Sequence, residues 1–194
     1  MTIYSSHRRL IAPVLAALAL ASSRGILAAP QMPFTLVAAT PKTLTPAMLA
    51  AAQKTETVGT VLADKKTLTF CKKAVRLVAI TGPDQDMLSY RISGLRNPSL
   101  IVPREATITL LFVNTDDDMF HNIRFGAAPK TYPNVMTAYL KSSVGTPELP
   151  HKSETALYGE ELIICTPAAA GRYVYLCTVR GHAEGGMAGT ISVR

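Results

Sequence analysis

The chain has 194 residues, of which 48% are hydrophobic, 17% charged and 6% aromatic, with no tryptophan and a net charge of +7 at pH 7. So much apolar content with so little charge excludes a disordered chain, and without an apolar run of about 18 residues a polytopic membrane protein is excluded too. The 20 basic residues are scattered, at most paired as in Lys65-Lys66 and Lys72-Lys73; they form no basic stripe interleaved with aromatics, so no nucleic-acid partner is expected.

Residues 1–21 read as an export signal. Arg8 and Arg9 precede an apolar stretch, 10–21, that is too short to span a bilayer, and Ala19-Leu20-Ala21 fits a small-x-small cleavage site. Cleavage as late as Ala28 is the alternative, and the implied location is the periplasm. Residues 22–44, rich in Ala, Pro and Thr, read as a linker or extended arm, and 45–194 as a single domain. Thr45-Pro46 followed by AMLAAAQK predicts a short capped helix, with proline at its first position.

Short β-branched runs separated by turn residues then predict strands at 58–63, 67–71, 75–80, 90–93, 108–113, 123–125, 162–165, 173–177 and 190–193, the pattern of an all-β sandwich or barrel. The segment TITLLFV over 107–113 alternates and then turns continuously apolar, as for a strand buried on both faces. Residues 126–156, with several prolines and little periodicity, are expected to run over one end of the barrel.

Three cysteines, Cys71, Cys165 and Cys177, leave an odd thiol in an exported chain. Cys71 and Cys165 could pair, although sequence separation does not fix their distance. Cys177 stands in YVYLCTVRGHAEGGM, residues 173–187, which places Cys177, His182 and Met187 at intervals of five on a loop that Gly181, Gly185 and Gly186 allow to turn sharply. His121, just after the 108–113 strand, is the candidate for a second imidazole. Two histidines, one cysteine and a weak axial methionine form the ligand set of a type 1 copper site. Methionine is a poor zinc ligand, and no residue to orient a Cys-His nucleophile is apparent. His151 reads as a surface residue, the run Asp116-Asp117-Asp118 as a solvated turn, and Tyr173 and Tyr175 as core.

The loop, together with NPSLIVP at 97–103 and TITLLFVNT at 107–115, resembles the cupredoxins and, among them, the rusticyanin branch, over roughly residues 45–194. The resemblance implies a Greek-key sandwich of two sheets with a short helical extension. It also implies one copper ion on His121, Cys177, His182 and Met187, and one-electron transfer in the periplasm to a redox protein such as a c-type cytochrome. His182 would lie near the surface inside an apolar docking patch. One departure is Asn122, where that branch has serine; it is expected to tie the His121 strand to the Cys177 loop, and neither an unusual reduction potential nor a role in iron respiration is carried over. A monomeric carrier with no small-molecule substrate is expected, rather than an enzyme: Cys177 is flanked by Leu176 and Thr178, not by the histidines that couple a second centre in multicopper enzymes. A copper carrier or stress protein without a respiratory role is the alternative.

Overall fold

The computed structural model describes residues 33–194. The expected export signal and the first part of the expected linker lie outside them. Two sheets face each other, forming the Greek-key sandwich anticipated above. The strands are β1 (Thr35–Leu44), β2 (Thr60–Val61), β3 (Thr67–Thr69), β4 (Ala74–Thr81), β5 (Tyr90–Ile92), β6 (Leu95–Arg96), β7 (Ser99–Val102), β8 (Thr107–Asn114), β9 (Arg124–Ala127), β10 (Val144–Gly145), β11 (Leu157–Cys165), β12 (Gly171–Leu176) and β13 (Ala188–Val193), with helices α1 (Pro46–Gln53) and α2 (Thr137–Lys141). One sheet runs β1-β11-β8-β4-β5-β6 and the other β10-β9-β12-β13-β7-β3-β2. The pairs β4–β8, β3–β7 and β7–β13 are parallel. Among the described residues no helix is long and apolar enough to cross a membrane.

The first departure from expectation is at the amino-terminal side. Residues 35–44, read as part of a linker or extended arm, form the edge strand β1, paired antiparallel with β11 from Thr35 opposite Cys165 to Leu44 opposite Leu157. The folded unit therefore begins before residue 45, and Phe34 is part of its buried core. The physical reason for the miss is that β1 is largely exposed, so its residues show no apolar alternation, and Pro41 in its middle reads as a breaker, which an edge strand tolerates. The helix stands where it is predicted. Thr45 accepts the Met48 N–H at 3.2 Å through its Oγ1, and Pro46 opens the first turn.

That helix explains the continuous apolar run in β8. Leu110 and Phe112 enter the core between the sheets, while Leu111 and Val113 face outward and are covered by Leu44, by Leu49 of α1, and by Val78 and Leu157. Between the sheets Tyr90, Tyr175, Phe112 and Ile123 are fully buried. Tyr175 donates its hydroxyl to the Pro98 carbonyl at 2.7 Å; Tyr173 is half-buried and packs at the edge of the same core. Gly189, opposite Tyr175 across β12 and β13, is there because a Cβ would lie 2.2 Å from the tyrosine ring. Gly189→Ala is expected to cost about 1–3 kcal/mol through overpacking, read as a lowered urea midpoint; an unchanged midpoint would mean that the ring moves aside freely.

Candidate metal centre

The sheets bring together four side chains that are distant in sequence. Cys177 follows the last residue of β12, and Met187 precedes the first of β13. The loop between them is closed by its own backbone: Cys177 N–H donates to the Met187 carbonyl at 3.1 Å, Met187 N–H to His182 at 2.9 Å and Gly185 N–H to Gly181 at 2.8 Å. Gly181 and Gly186 take φ values of +79° and +104°, so the expected need for glycine is met at those two positions. Gly185 serves differently: a Cβ there would lie 2.5 Å from Leu88 Cδ1. The 126–156 excursion braces this loop, with Gly181 N–H donating to the Asn134 carbonyl at 2.9 Å.

His121 arrives from the other side. Its backbone forms an isolated antiparallel bridge with Leu149. The bridge is held by Asn114 at the end of β8, whose amide donates to the carbonyls of Met119, Leu149 and Pro150. Asn122 donates from its Nδ2 to Thr178 Oγ1 and accepts the Thr178 N–H at its Oδ1, both at 2.8 Å, tying the His121 segment to the residue after Cys177. Tyr90, not singled out by sequence, donates its hydroxyl to the Asn122 carbonyl at 2.5 Å.

The resulting cluster is compact. His121 Nδ1 lies 3.2 Å from both Met187 Sδ and His182 Nδ1, and Cys177 Sγ lies 3.5 Å from His182 Nδ1. Single donor atoms of His121, Cys177 and His182 all fall within 4.8 Å of one another. His121, Cys177 and Met187 are fully buried, and His182 is 8% exposed, at the rim. Burial pushes the Cys177 thiol up to about 11, although the backbone N–H groups of Asn122 and Val179 oppose the shift. Burial, then repulsion from His121, brings His182 down to about 4, and burial lowers His121. At neutral pH the pocket therefore holds neutral imidazoles with free lone pairs, beside a thiol that a cation must deprotonate.

One acid departs from expectation. Asp117 and Asp118 are exposed, but Asp116 is buried, with its Oδ2 3.2 Å from His121 Nε2. Burial alone would raise its pKa; the backbone N–H groups of Asp118 and Met119, with smaller contributions from the Asp118 and His121 side chains, outweigh that and hold it at about 2. Nothing in a run of three acids marks the one that folds inward. His151 is exposed, as expected. Cys71 and Cys165, considered above as a pair, are separate free thiols, the first exposed and the second half-buried.

No family model matches the sequence. The chain is 30% identical over 129 residues to rusticyanin of Acidithiobacillus ferrooxidans, an alignment spanning 66% of this chain and 81% of that protein. The chain belongs to the rusticyanin family of cupredoxins. A rusticyanin of Acidithiobacillus ferridurans is 29% identical over the same length. Among solved structures, reduced rusticyanin at 1.9 Å matches with a TM-score of 0.69 and 28% identity over 80% of this chain and all of that one. The 1.27 Å structure of rusticyanin from Thiobacillus ferrooxidans matches with a TM-score of 0.67, also at 28% identity, over 80% of this chain and 97% of that one. The four clustered side chains thus sit in a rusticyanin-like scaffold whose donor set, two imidazoles, one thiol and one thioether, all buried, suits a single copper ion.

Loading that site has a pH signature. Because the thiol titrates at about 11 and a metal takes the thiolate, binding at neutral pH is expected to release about one proton, with apparent affinity rising about tenfold per pH unit between roughly pH 6 and 9. Calorimetry in buffers of different ionisation enthalpy measures the release; copper uptake without it would place the metal elsewhere.

Proposed function

We propose that this protein is a periplasmic one-electron carrier that holds a single copper ion on His121, Cys177, His182 and Met187 and exchanges electrons with a redox protein, a c-type cytochrome being the partner that best fits the reading. The observation that carries the proposal is the buried His121–Cys177–His182 cluster with Met187 Sδ beside it. Copper bound there would supply a Cu(I)/Cu(II) couple tuned by the Cys177 thiolate, the two imidazoles and the Met187 thioether.

The residues do the rest. Cys177 and His182 are fixed by a loop whose hydrogen bonds close on themselves, and His121 is fixed through Asn122 and Asn114. A site anchored in two sheets in this way changes geometry little between oxidation states, which keeps the reorganisation on electron transfer small. The sandwich core and the buried sulfur atoms exclude water from three of the donors. His182, at the rim, is the donor nearest solvent and so the natural route for the electron. The apolar side chains of Val135 and Leu140, exposed on the segment that braces the loop, suit a small, short-lived encounter surface. A chain that stores and passes one electron needs no substrate pocket, so the reading is of a monomeric carrier and not an enzyme.

Stopped-flow mixing of the copper-loaded protein with a reduced c-type cytochrome tests this. Bimolecular oxidation of the cytochrome, matched by bleaching of the copper chromophore, is expected. A stable chromophore that accepts no electron, combined with ready loss of copper to a chelator, would favour a copper-carrying protein instead.

A further inference from the structure

Asp116 is an acid with only 4% of its side chain exposed, placed behind a copper-binding imidazole on the reading above, and the donor set does not require it. Its two oxygens have separate tasks. Oδ1 accepts the backbone N–H groups of Asp118 and Met119, each at 3.0 Å, which holds the carboxylate in a tight turn. Oδ2 faces His121 Nε2 at 3.2 Å. The turn itself is anchored: Asp116 N–H donates to Asn114 Oδ1 at 3.1 Å, and the Asp116 carbonyl accepts the Lys152 N–H at 2.9 Å. Lys152 also pairs its ammonium with Asp117.

On the opposite edge of the same ring, His121 Nδ1 points at Met187 Sδ and His182 Nδ1. The Asp116 carboxylate is a stronger acceptor for the ring proton than the thioether sulfur or the neutral imidazole nitrogen that face the other edge, so one neutral form is favoured. Its proton lies on Nε2, donated to Asp116, and Nδ1 is bare. We infer that Asp116 is a positioning residue which fixes His121 in the tautomer and orientation that present Nδ1 to copper, and which, as a full negative charge on the far side of the ring, makes that nitrogen a stronger donor and biases the site toward Cu(II). The inference rests on the copper reading for its second half only; the tautomer belongs to the metal-free chain. Carboxylates behind metal-bound histidines act in this way generally, and their loss typically weakens metal binding by about 10- to 100-fold.

The chosen variant is Asp116→Asn. It is nearly isosteric, so the turn survives, but it offers one oxygen where the carboxylate offers two. An amide that keeps its oxygen on the Asp118 and Met119 N–H groups turns an NH2 toward His121 Nε2, which then has to accept. Three readouts apply. Long-range nitrogen–proton NMR of the metal-free protein at neutral pH is expected to show the His121 proton on Nε2 in the wild type and a shift toward the Nδ1-protonated form in Asp116→Asn. Copper affinity by competition with a chelator is expected to fall by about 10-fold or more. The reduction potential of the loaded variant is expected to rise. Asp117→Asn, exposed and paired with Lys152 rather than with Asp116 or His121, serves as a control for charge alone and is expected to move none of the three by a comparable amount. A wild-type His121 already protonated on Nδ1, or an Asp116→Asn protein with unchanged tautomer, affinity and potential, overturns the inference. If the tautomer behaves as stated but the wild type forms no coloured copper complex, the copper reading fails and the positioning of His121 by Asp116 stands.

Discussion

Cys177→Ala is expected to remove every intense visible absorption from the copper-loaded protein while leaving a folded sandwich. The colour of such a site comes from charge transfer out of the thiolate, and Cys177 Sγ is the sulfur that can supply one; Met187 offers a thioether without a charge. The fold should tolerate the change, because the loop that carries Cys177 is fixed by backbone hydrogen bonds at both ends and the deletion removes one buried atom, at a cost of about 1 kcal/mol. Circular dichroism separates the two effects, showing β structure retained as the visible band disappears. A variant that keeps the band would transfer the thiolate role to Cys165 or Cys71.

Met187→Leu is expected to keep copper bound and to raise the reduction potential. Leucine matches methionine closely in volume, so a fully buried position accepts it with little strain. The substitution takes a polarisable donor from beside His121 Nδ1, 3.2 Å away, and puts hydrocarbon in its place. The more highly charged Cu(II) loses more from that exchange than Cu(I) does, so the equilibrium moves toward the reduced form. A tenfold shift in that equilibrium corresponds to about 59 mV for a one-electron couple, and a rise of at least about this size is expected in a redox titration. An unchanged potential would place Met187 in the core and outside the ligand set.

What could be read from the sequence follows how local each signal is. Cys177, His182 and Met187 share one eleven-residue loop with glycines at its sharp turns, so their convergence is written in spacing alone. His121 is 56 residues away, and only the sandwich pattern and the family resemblance linked it to that loop. The double burial of β8 was legible because an unbroken apolar run cannot face water; that α1 supplies the cover for its outer face, through Leu49, was not. The strand β1 was hidden because an exposed edge needs no apolar face and its pairing comes from backbone atoms, which are the same in every residue. Asp116 was hidden for a related reason. Three consecutive acids look alike in sequence, and which one turns inward is decided by Asn114 and by the two N–H groups that gather its carboxylate.

A crystal structure of the protein grown with stoichiometric cupric salt tests the central claim most directly. One ion is expected, bound by Nδ1 of His121, Sγ of Cys177 and Nδ1 of His182, with Sδ of Met187 as its weaker neighbour. Copper held elsewhere, or a His121 ring turned out of the cluster with no ion between it and Cys177, would contradict the account.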